Sequence, residues 1–565
     1  MGLGIVEPRR QGTQVPATAL LLQDDLTGTT GKKKDDIVLV PRPSNTPRDP
    51  LNWPLWKKDL CLFAICLSIT LGGIQSAILE TVNGVLLLDF QTSITKVENL
   101  SSYPPLACAI SCIFASVLAR MIGKRPVYLI STTIFLISTV WCALTKMDYG
   151  SFFAARFISG LGLGAYEAIV LSTVGDLYFV RRAPCPPKGK RIAFLNVMSL
   201  GPVNLSPIIS GYVADKYGWR TNFWIMTAFT AVALLLIFFA APETSYNRPA
   251  IYETDLTSRD NLPITEERLA ADAILTAKEP GSDISSAPAD KEITSVEMHK
   301  DQSPRSYWQE LLPIRGLETR DNPIVLPARF FTCGLYPAVI WSFLVGGTYV
   351  AWFIALTVVV AQIFSPPPIS YTPAQLGHLN AFPAVGAVVA FGVMGALADS
   401  TAKYAARRNN GIYEPEFRLY LISFGLFIGV SGLALFGWYA STAAPGHMIN
   451  WVVMSFIYGM VIFTTVTQQT NTFAYLLDAH RDISVETAVF SVMLRNFFSF
   501  GAGKFLPVWL IKSGPASTFY AIAGIQAALV LTTVPLYFYG KVIREFYHRH
   551  SPFRFLHVEV GHRVA

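Results

Sequence analysis

SFFAARFISGLGLGAYEAIVLSTV, residues 151–174, decides the fold. It is long enough to cross a hydrocarbon layer of about 30 Å, since a helix rises about 1.5 Å per residue. Two charges interrupt it, Arg156 and Glu167. Their separation of three helical turns sets them on nearly one face, about 16 Å apart. Gly160 and Gly164 share that stripe, where small residues let another helix approach closely. A charge at mid-membrane costs about 2.5–3.5 kcal/mol on insertion scales. Both side chains are therefore expected to point into a helix bundle.

Outward from this segment, similar apolar runs lie near residues 60–80, 100–119, 127–145, 192–214 and 221–241, then 333–363, 376–398, 418–440, 449–476, 488–511 and 517–539. The pattern predicts an all-α membrane protein of twelve transmembrane helices in two six-helix bundles. Composition agrees: of 565 residues 52% are hydrophobic and only 15% charged, with a mean hydropathy of +0.40. Soluble domains carry nearer a quarter charged residues. The expected divisions are a disordered tail over 1–57, bundles over 58–241 and 333–540, a polar linker over 242–332 and a second tail over 541–565. The linker is rich in Ser, Asp, Glu, Lys and Pro, as in SDISSAPADKEITSVEMHKDQSPRS, and lacks the apolar surface to fold alone. Tyr307–Ile314 at its end is weakly patterned for a short interfacial helix.

The net charge of +7 reflects basic residues beside apolar spans, which set topology and do not imply nucleic acid. They concentrate in alternate loops, at Arg120, Lys124 and Arg125, at Arg181 to Arg191, and at Lys403 to Arg418. This asymmetry predicts both termini in the cytoplasm and an even number of spans. No cleaved signal peptide is expected in the polar first 50 residues. Seven scattered cysteines without paired spacing argue against a disulfide framework or a metal site. No phosphate loop or nucleophile elbow occurs, so neither an ATP motor nor an enzyme is expected, and no cofactor. Trp53, Trp56, Trp141 and Trp451 read as interfacial anchors. Asn99-Leu-Ser101 is a glycosylation sequon, but it abuts the second span.

Two bundles of equal size invite a repeat, and Ala193–Met198 (AFLNVM) is echoed by Ala488–Met493 (AVFSVM). The turn from Ser116 through Arg120 to Gly123, Lys124 and Arg125 has a counterpart in Gly395–Asp399 followed by Lys403, Arg407 and Arg408.

The words DPLNWP (Asp49–Pro54), GKRPVYL (Gly123–Leu129), RFISGLGLGAYEA (Arg156–Ala168), GWRTNFWI (Gly218–Ile225), PETSYNR (Pro242–Arg248) and YEPEFRL (Tyr413–Leu419) together resemble the major facilitator superfamily. Within it the chain looks most like the twelve-span fungal drug:proton antiporters, a group that includes polyamine, histidinol and toxin exporters. The resemblance runs over Asp49–Arg248 and Tyr307–Tyr547. It implies two pseudo-symmetric bundles around a central cavity, working by alternating access. It also implies a gating role for the Arg120–Arg125 turn, although Ser116 replaces the usual Gly and Arg120 the usual acid. Asp399, Glu414 and Glu416 facing Arg407, Arg408 and Arg418 are expected to hold the second-half gate, with Arg120 needing another partner. The resemblance further implies proton coupling at Arg156 and a cargo-linked acid at Glu167. Pro207 and Gly211, with Ser206 and Ser210, stand where the group's antiporter motif has its hinge.

A carboxylate in a low-dielectric cavity can alternate between a proton and a cationic cargo, which is the chemistry of antiport. Arg495 and Asn496 in the eleventh span are expected at the cavity. Gln75, Asn204, Tyr349, Trp352, Gln468 and Asn471 complete a pocket whose rings suit amphipathic or cationic molecules. For each of these, ordinary helix packing is the competing reading. The expected function is secondary active efflux of a small organic molecule (a toxin, secondary metabolite, drug or polyamine) in exchange for protons. It would act as a monomer in the plasma membrane, with a vacuolar or other internal membrane as the alternative. Proton-coupled nutrient uptake and a non-transporting membrane sensor are the competing functions.

Overall fold

The computed structural model describes residues 4–7, 18–20, 39–40, 49–178, 180–181, 187–245, 307–312, 325–366, 369–409, 412–442, 450–480 and 483–556. Among these, ten helices are long and apolar enough to cross a membrane. One of the ten, Val485–Arg549, is in fact two helices that meet at Gly514, where φ is 74° and Pro515 follows. Another helix, Pro187–Tyr217, begins with the basic turn Lys188-Gly-Lys190-Arg191 and completes twelve.

In chain order these are α1 (Leu55–Asp89), α2 (Ile94–Ile122), α3 (Lys124–Leu144), α4 (Tyr149–Leu177), α5 (Pro187–Tyr217) and α6 (Trp219–Ala240) in the first half. The second half holds α7 (Pro337–Phe364), α8 (Ala381–Arg408), α9 (Pro415–Ser441), α10 (Trp451–Ala479), α11 (484–513) and α12 (515–549). Two antiparallel pairs of two-residue strands, Ala19–Leu20 with Ile412–Tyr413 and Leu39–Val40 with Val180–Arg181, lie outside the bundles. An even number of spans puts the start of α1 and the end of α12 on one face, called the near face below.

Large apolar side chains point outward, with Phe114, Ile209, Phe427 and Ile511 65–72% exposed, while Arg125 and Arg156 are each 1% exposed. This inversion of the usual soluble arrangement is what a hydrocarbon solvent demands. Buried cysteines behave as small apolar residues here: Cys61, Cys66, Cys108, Cys112, Cys142 and Cys333 are all free.

The small-residue stripe of α4 faces α2. A Cβ on Gly160 would stand 2.3 Å from the Pro104 carbonyl, and one on Gly164 would stand 2.8 Å from that of Cys108. Pro207 and Gly211 of α5 serve a different contact, across the two halves. A Cβ on Gly211 would meet the Pro373 carbonyl at 2.4 Å, and one on Gly377 the Pro207 carbonyl at 2.6 Å. Backbone thus touches backbone where α5 crosses the short helix Pro373–His378 that leads into α8. Gly211→Val is expected to prise this crossing open and destabilise the protein by about 1–3 kcal/mol, the usual range for overpacking. Melting in detergent checks it, with Gly175→Ala, which meets nothing within 4 Å, as the silent comparison.

Several sequence boundaries move. The tail expected to begin at 541 is helical to Arg549, and the linker expected to end at 332 closes with the helix Val325–Thr332. Amphipathic helix continues beyond the apolar run because packing, not hydropathy, holds it there: Lys541 and Arg544 are both buried. Ile5, in the segment expected to be disordered, packs with Ala402, Ala405, Tyr413 and Phe417, and Val6 donates its N–H to the Phe538 carbonyl. Of the interfacial helix expected over Tyr307–Ile314, Tyr307–Glu310 forms. Most of the linker, 246–306 and 313–324, lies outside the described residues.

Candidate functional site

At mid-bundle α4 and α11 meet across the two halves. One Glu167 oxygen accepts hydrogen bonds from the Arg495 guanidinium (2.7 Å), the Asn496 amide (2.6 Å) and the Cys108 thiol (3.4 Å). Helical spacing explains the donors: Arg495 and Asn496 are adjacent on α11, so they approach one carboxylate from two sides. Cys108 reaches it because Gly164 lets α2 lie close, with the Cys112 thiol donating to the Gly164 carbonyl. Side-chain exposures of 20% for Glu167 and 12% for Arg495 mark a pair only partly withdrawn from water. A π-helical turn in α7, Phe343–Gly347, runs beside it, and a Cβ on Gly347 would stand 3.5 Å from that of Arg495. Such turns break the helical ladder and recur at functional positions. The cysteines scattered in sequence also converge here, with the Cys108 and Cys112 sulfurs and a Glu167 oxygen within 4.8 Å of one another. These groups are spent on hydrogen bonds, and the Arg495 cation supplies the positive charge.

Arg156 is elsewhere. Its guanidinium donates to the carbonyls of Gln75 (3.1 Å) and Leu100 (3.4 Å), tying α1 and α2 to α4, and no carboxylate pairs with it among the described residues. A fully buried arginine needs its donors satisfied, and helix carbonyls do that without an acid. The Gln75 side chain is buried with neither amide atom bonded. Asn204 is buried on α5.

The pocket residues of the second half are engaged within it. Tyr349 donates to the Gly425 carbonyl (2.6 Å), Trp352 to Gln526 (3.1 Å), Gln468 to the Ile422 carbonyl (3.2 Å) and Asn471 to the Met394 sulfur (3.3 Å). Gln526, which the sequence reading missed, also accepts from Thr348 (2.9 Å).

At the near face Arg120 finds its partner in Glu486 at the start of α11, so this ion pair also crosses the halves, and Arg329 approaches the same carboxylate at 3.4 Å. Gly123, with φ of 94°, turns α2 into α3. Glu243 of the PETSYNR word occupies the space a side chain there would need. Its carboxylate accepts the backbone N–H groups of Lys124 and Arg125, each at 3.0 Å, as an acid at a helix N-terminus should. The Lys124 ammonium pairs with Asp176, and Arg125 donates to the carbonyls of Ala241, Phe238 and Leu311.

The expected second-half gate pairing is corrected. Glu414 and Glu416 both face Arg544 at 2.9 Å, with Lys541 at 2.8 Å from Glu414, while Arg418 pairs with Asp478 at 2.6 Å. Arg407 and Arg408 are exposed, the latter over the Tyr404 ring. Proximity in sequence favours Arg407, Arg408 and Arg418, but the helical extension of α12 carries Lys541 and Arg544 into the same place. The Asp399 side chain lies outside the described residues. Nearby, burial and the Arg544 charge push the His480 imidazole down to about 4, so it is neutral at physiological pH.

The Asn99 oxygen of the sequon accepts from Lys504, which also lies over the Tyr103 ring. Glu80, Glu486, Asp478, Lys541 and Arg544 are charged groups to which the sequence analysis assigns no role, and Glu243 enters it as part of the PETSYNR word. Glu80 carries a signal of its own, as a lone acid in the apolar run of α1.

The chain resembles Protein HOL1 of Saccharomyces cerevisiae, 25% identical over 91% of each chain. It also resembles the Fluconazole resistance protein 1 of that yeast, 25% identical over 80% of this chain and 73% of that one. In fold it is like the xylose transporter XylE from E. coli in a partially occluded inward-open conformation, with TM-score 0.50 at 12% identity over 85% of this chain and 98% of that one. The Major Facilitator Superfamily profile matches residues 61–503, and with twelve spans in two halves joined at Glu167 and Arg495, the chain belongs to that superfamily and is a secondary transporter, not an enzyme.

Proposed function

We propose that this transporter exports a small organic molecule in exchange for protons, from a plasma membrane in which its near face and both termini are cytoplasmic. The observation that carries the reading is the Glu167 contact with Arg495 and Asn496, because it places a carboxylate in the link between the halves. With Glu167 ionised, charge-assisted hydrogen bonds hold α4 against α11. Protonation of the carboxylate cancels its attraction for the guanidinium and frees the two helices to part. A cationic or amphipathic cargo competes for the same acid, so proton and cargo take turns. Basic loops at Arg120–Arg125 and Arg181–Arg191 support the orientation. The name of the fluconazole resistance relative supports a drug-like cargo.

Full-length protein in liposomes, tested with fluconazole and tetraphenylphosphonium as probes, decides the matter. An acid lumen is expected to drive accumulation of at least one probe, and a protonophore to stop it. Accumulation only with the opposite gradient would mean symport, and binding without flux would mean a sensor.

A further inference from the structure

Glu80 of α1 is a second carboxylate in the seam between the halves, on the face opposite the termini. It is 2% exposed, and its Oε1 accepts from the amide of Asn380, the capping residue of α8, at 3.0 Å. The seam around it is tight. Tyr212 of α5 meets His378 at 2.6 Å and Asp215 accepts the Ala374 N–H at 3.1 Å, while within the first half Ser210 of α5 hydrogen-bonds Thr81 at 3.2 Å beside Glu80. Ser365, which caps the end of α7, stands 3.3 Å from where a Gly84 Cβ would be. Tyr458 of α10 is buried with its hydroxyl unbonded and lies within the field of Glu80. The titratable groups facing this seam are thus Tyr212 and Asp215 from α5, His378 before α8 and Tyr458 from α10. None of the ion pairs among the described residues includes Glu80.

We propose that Glu80 is a second proton site of the transport cycle, holding its proton while this far-face seam is closed and releasing it to water on that side when the seam opens. The inference rests on the proton-coupled reading above and adds the group that faces the other side. A carboxylate sealed from water with no cation costs more as an anion than one amide hydrogen bond returns. Glu167 differs, because a guanidinium balances it in the closed contact. The two acids therefore have opposite requirements: closure at Glu167 needs the charge, and closure at Glu80 needs the proton. Opening the far seam exchanges the neutral acid for a carboxylate and one proton delivered to water, with nothing else consumed.

Nitroxide labels at Lys216→Cys and Gln375→Cys, on α5 and on the short helix before α8, report the seam in full-length protein in lipid. As pH falls from about 8 to about 5, spanning the range over which perturbed carboxyls titrate, the wild-type distance distribution is expected to shift from long to short. Glu80→Gln, which cannot ionise, should remain short throughout. Asn380→Ala, the second arm, should lengthen the distribution at every pH by removing the amide donor. A Glu80→Gln protein that follows the wild-type pH course, or a wild-type seam indifferent to pH, would overturn the proposal. Should Glu167→Gln retain proton-driven flux while Glu80→Gln stays closed, the Glu167 assignment falls and this one stands.

Discussion

Glu167→Gln is expected to reduce gradient-driven flux to the level of protein-free liposomes while the protein still assembles. Glutamine matches glutamate in size, and its carbonyl still accepts from Asn496, so α4 and α11 keep their packing. The charge that holds Arg495 is lost, a charge-assisted hydrogen bond of about 1.5–3 kcal/mol. Arg495 already has its Nε buried without a partner, and the substitution leaves more of the guanidinium uncompensated. Exchange of cargo down its own gradient is expected to persist, because cargo can still bind and the halves can still alternate when no carboxylate at position 167 couples them to protons. A pH-sensitive dye in the lumen separates these outcomes: cargo movement without proton movement supports the assignment, and normal proton-coupled flux in the variant would refute it. Size-exclusion chromatography of the purified variant shows whether assembly was spared.

The second large effect is expected at Arg544, and it concerns stability. Glu414 and Glu416 are 2% and 0% exposed at the side chain, both within 2.9 Å of this one guanidinium. Arg544→Ala takes the guanidinium from both buried carboxylates and leaves Lys541 paired with Glu414, and removing one partner of a buried pair costs about 3–5 kcal/mol. Loss of α12 docking and a lower melting temperature in detergent are the expected results. Arg544→Lys should recover only part, since a point charge cannot fork between two carboxylates as a guanidinium does. If the cost is uncompensated charge, then Arg544→Met combined with Glu414→Gln and Glu416→Gln should melt closer to wild type than Arg544→Ala alone. A triple variant as unstable as the single one would show that lost packing governs the site instead.

These two sites differ in how legible they were. Glu167 announced itself because a lone acid in an apolar run has few places to go, and Arg495 and Asn496 followed from the same argument in α11. Glu80 met that test equally and was passed over, its signal diluted by the polar neighbours Gln75, Thr81 and Asn83. At the near face the reading fared differently. Arg120 meets Glu486 across the halves, and Glu414 and Glu416, which the sequence analysis sets opposite Arg407, Arg408 and Arg418, find their cation on α12. The resemblance implies proton coupling at Arg156, and among the described residues its guanidinium bonds the helix carbonyls of Gln75 and Leu100, an arrangement no side-chain pattern encodes.

By itself the sequence determined what depends on local composition: twelve helices, their division into two halves, and the charges too costly to leave in lipid. Hydropathy and helical period act over one or two turns, so they are written in consecutive residues. Which charge meets which was decided only by the tertiary structure. Ion pairs such as Glu167 with Arg495 and Arg120 with Glu486 join residues more than 300 positions apart. Their formation depends on how glycine stripes set the spacing of α2, α4, α5 and α8, a close-packing outcome that no single segment specifies.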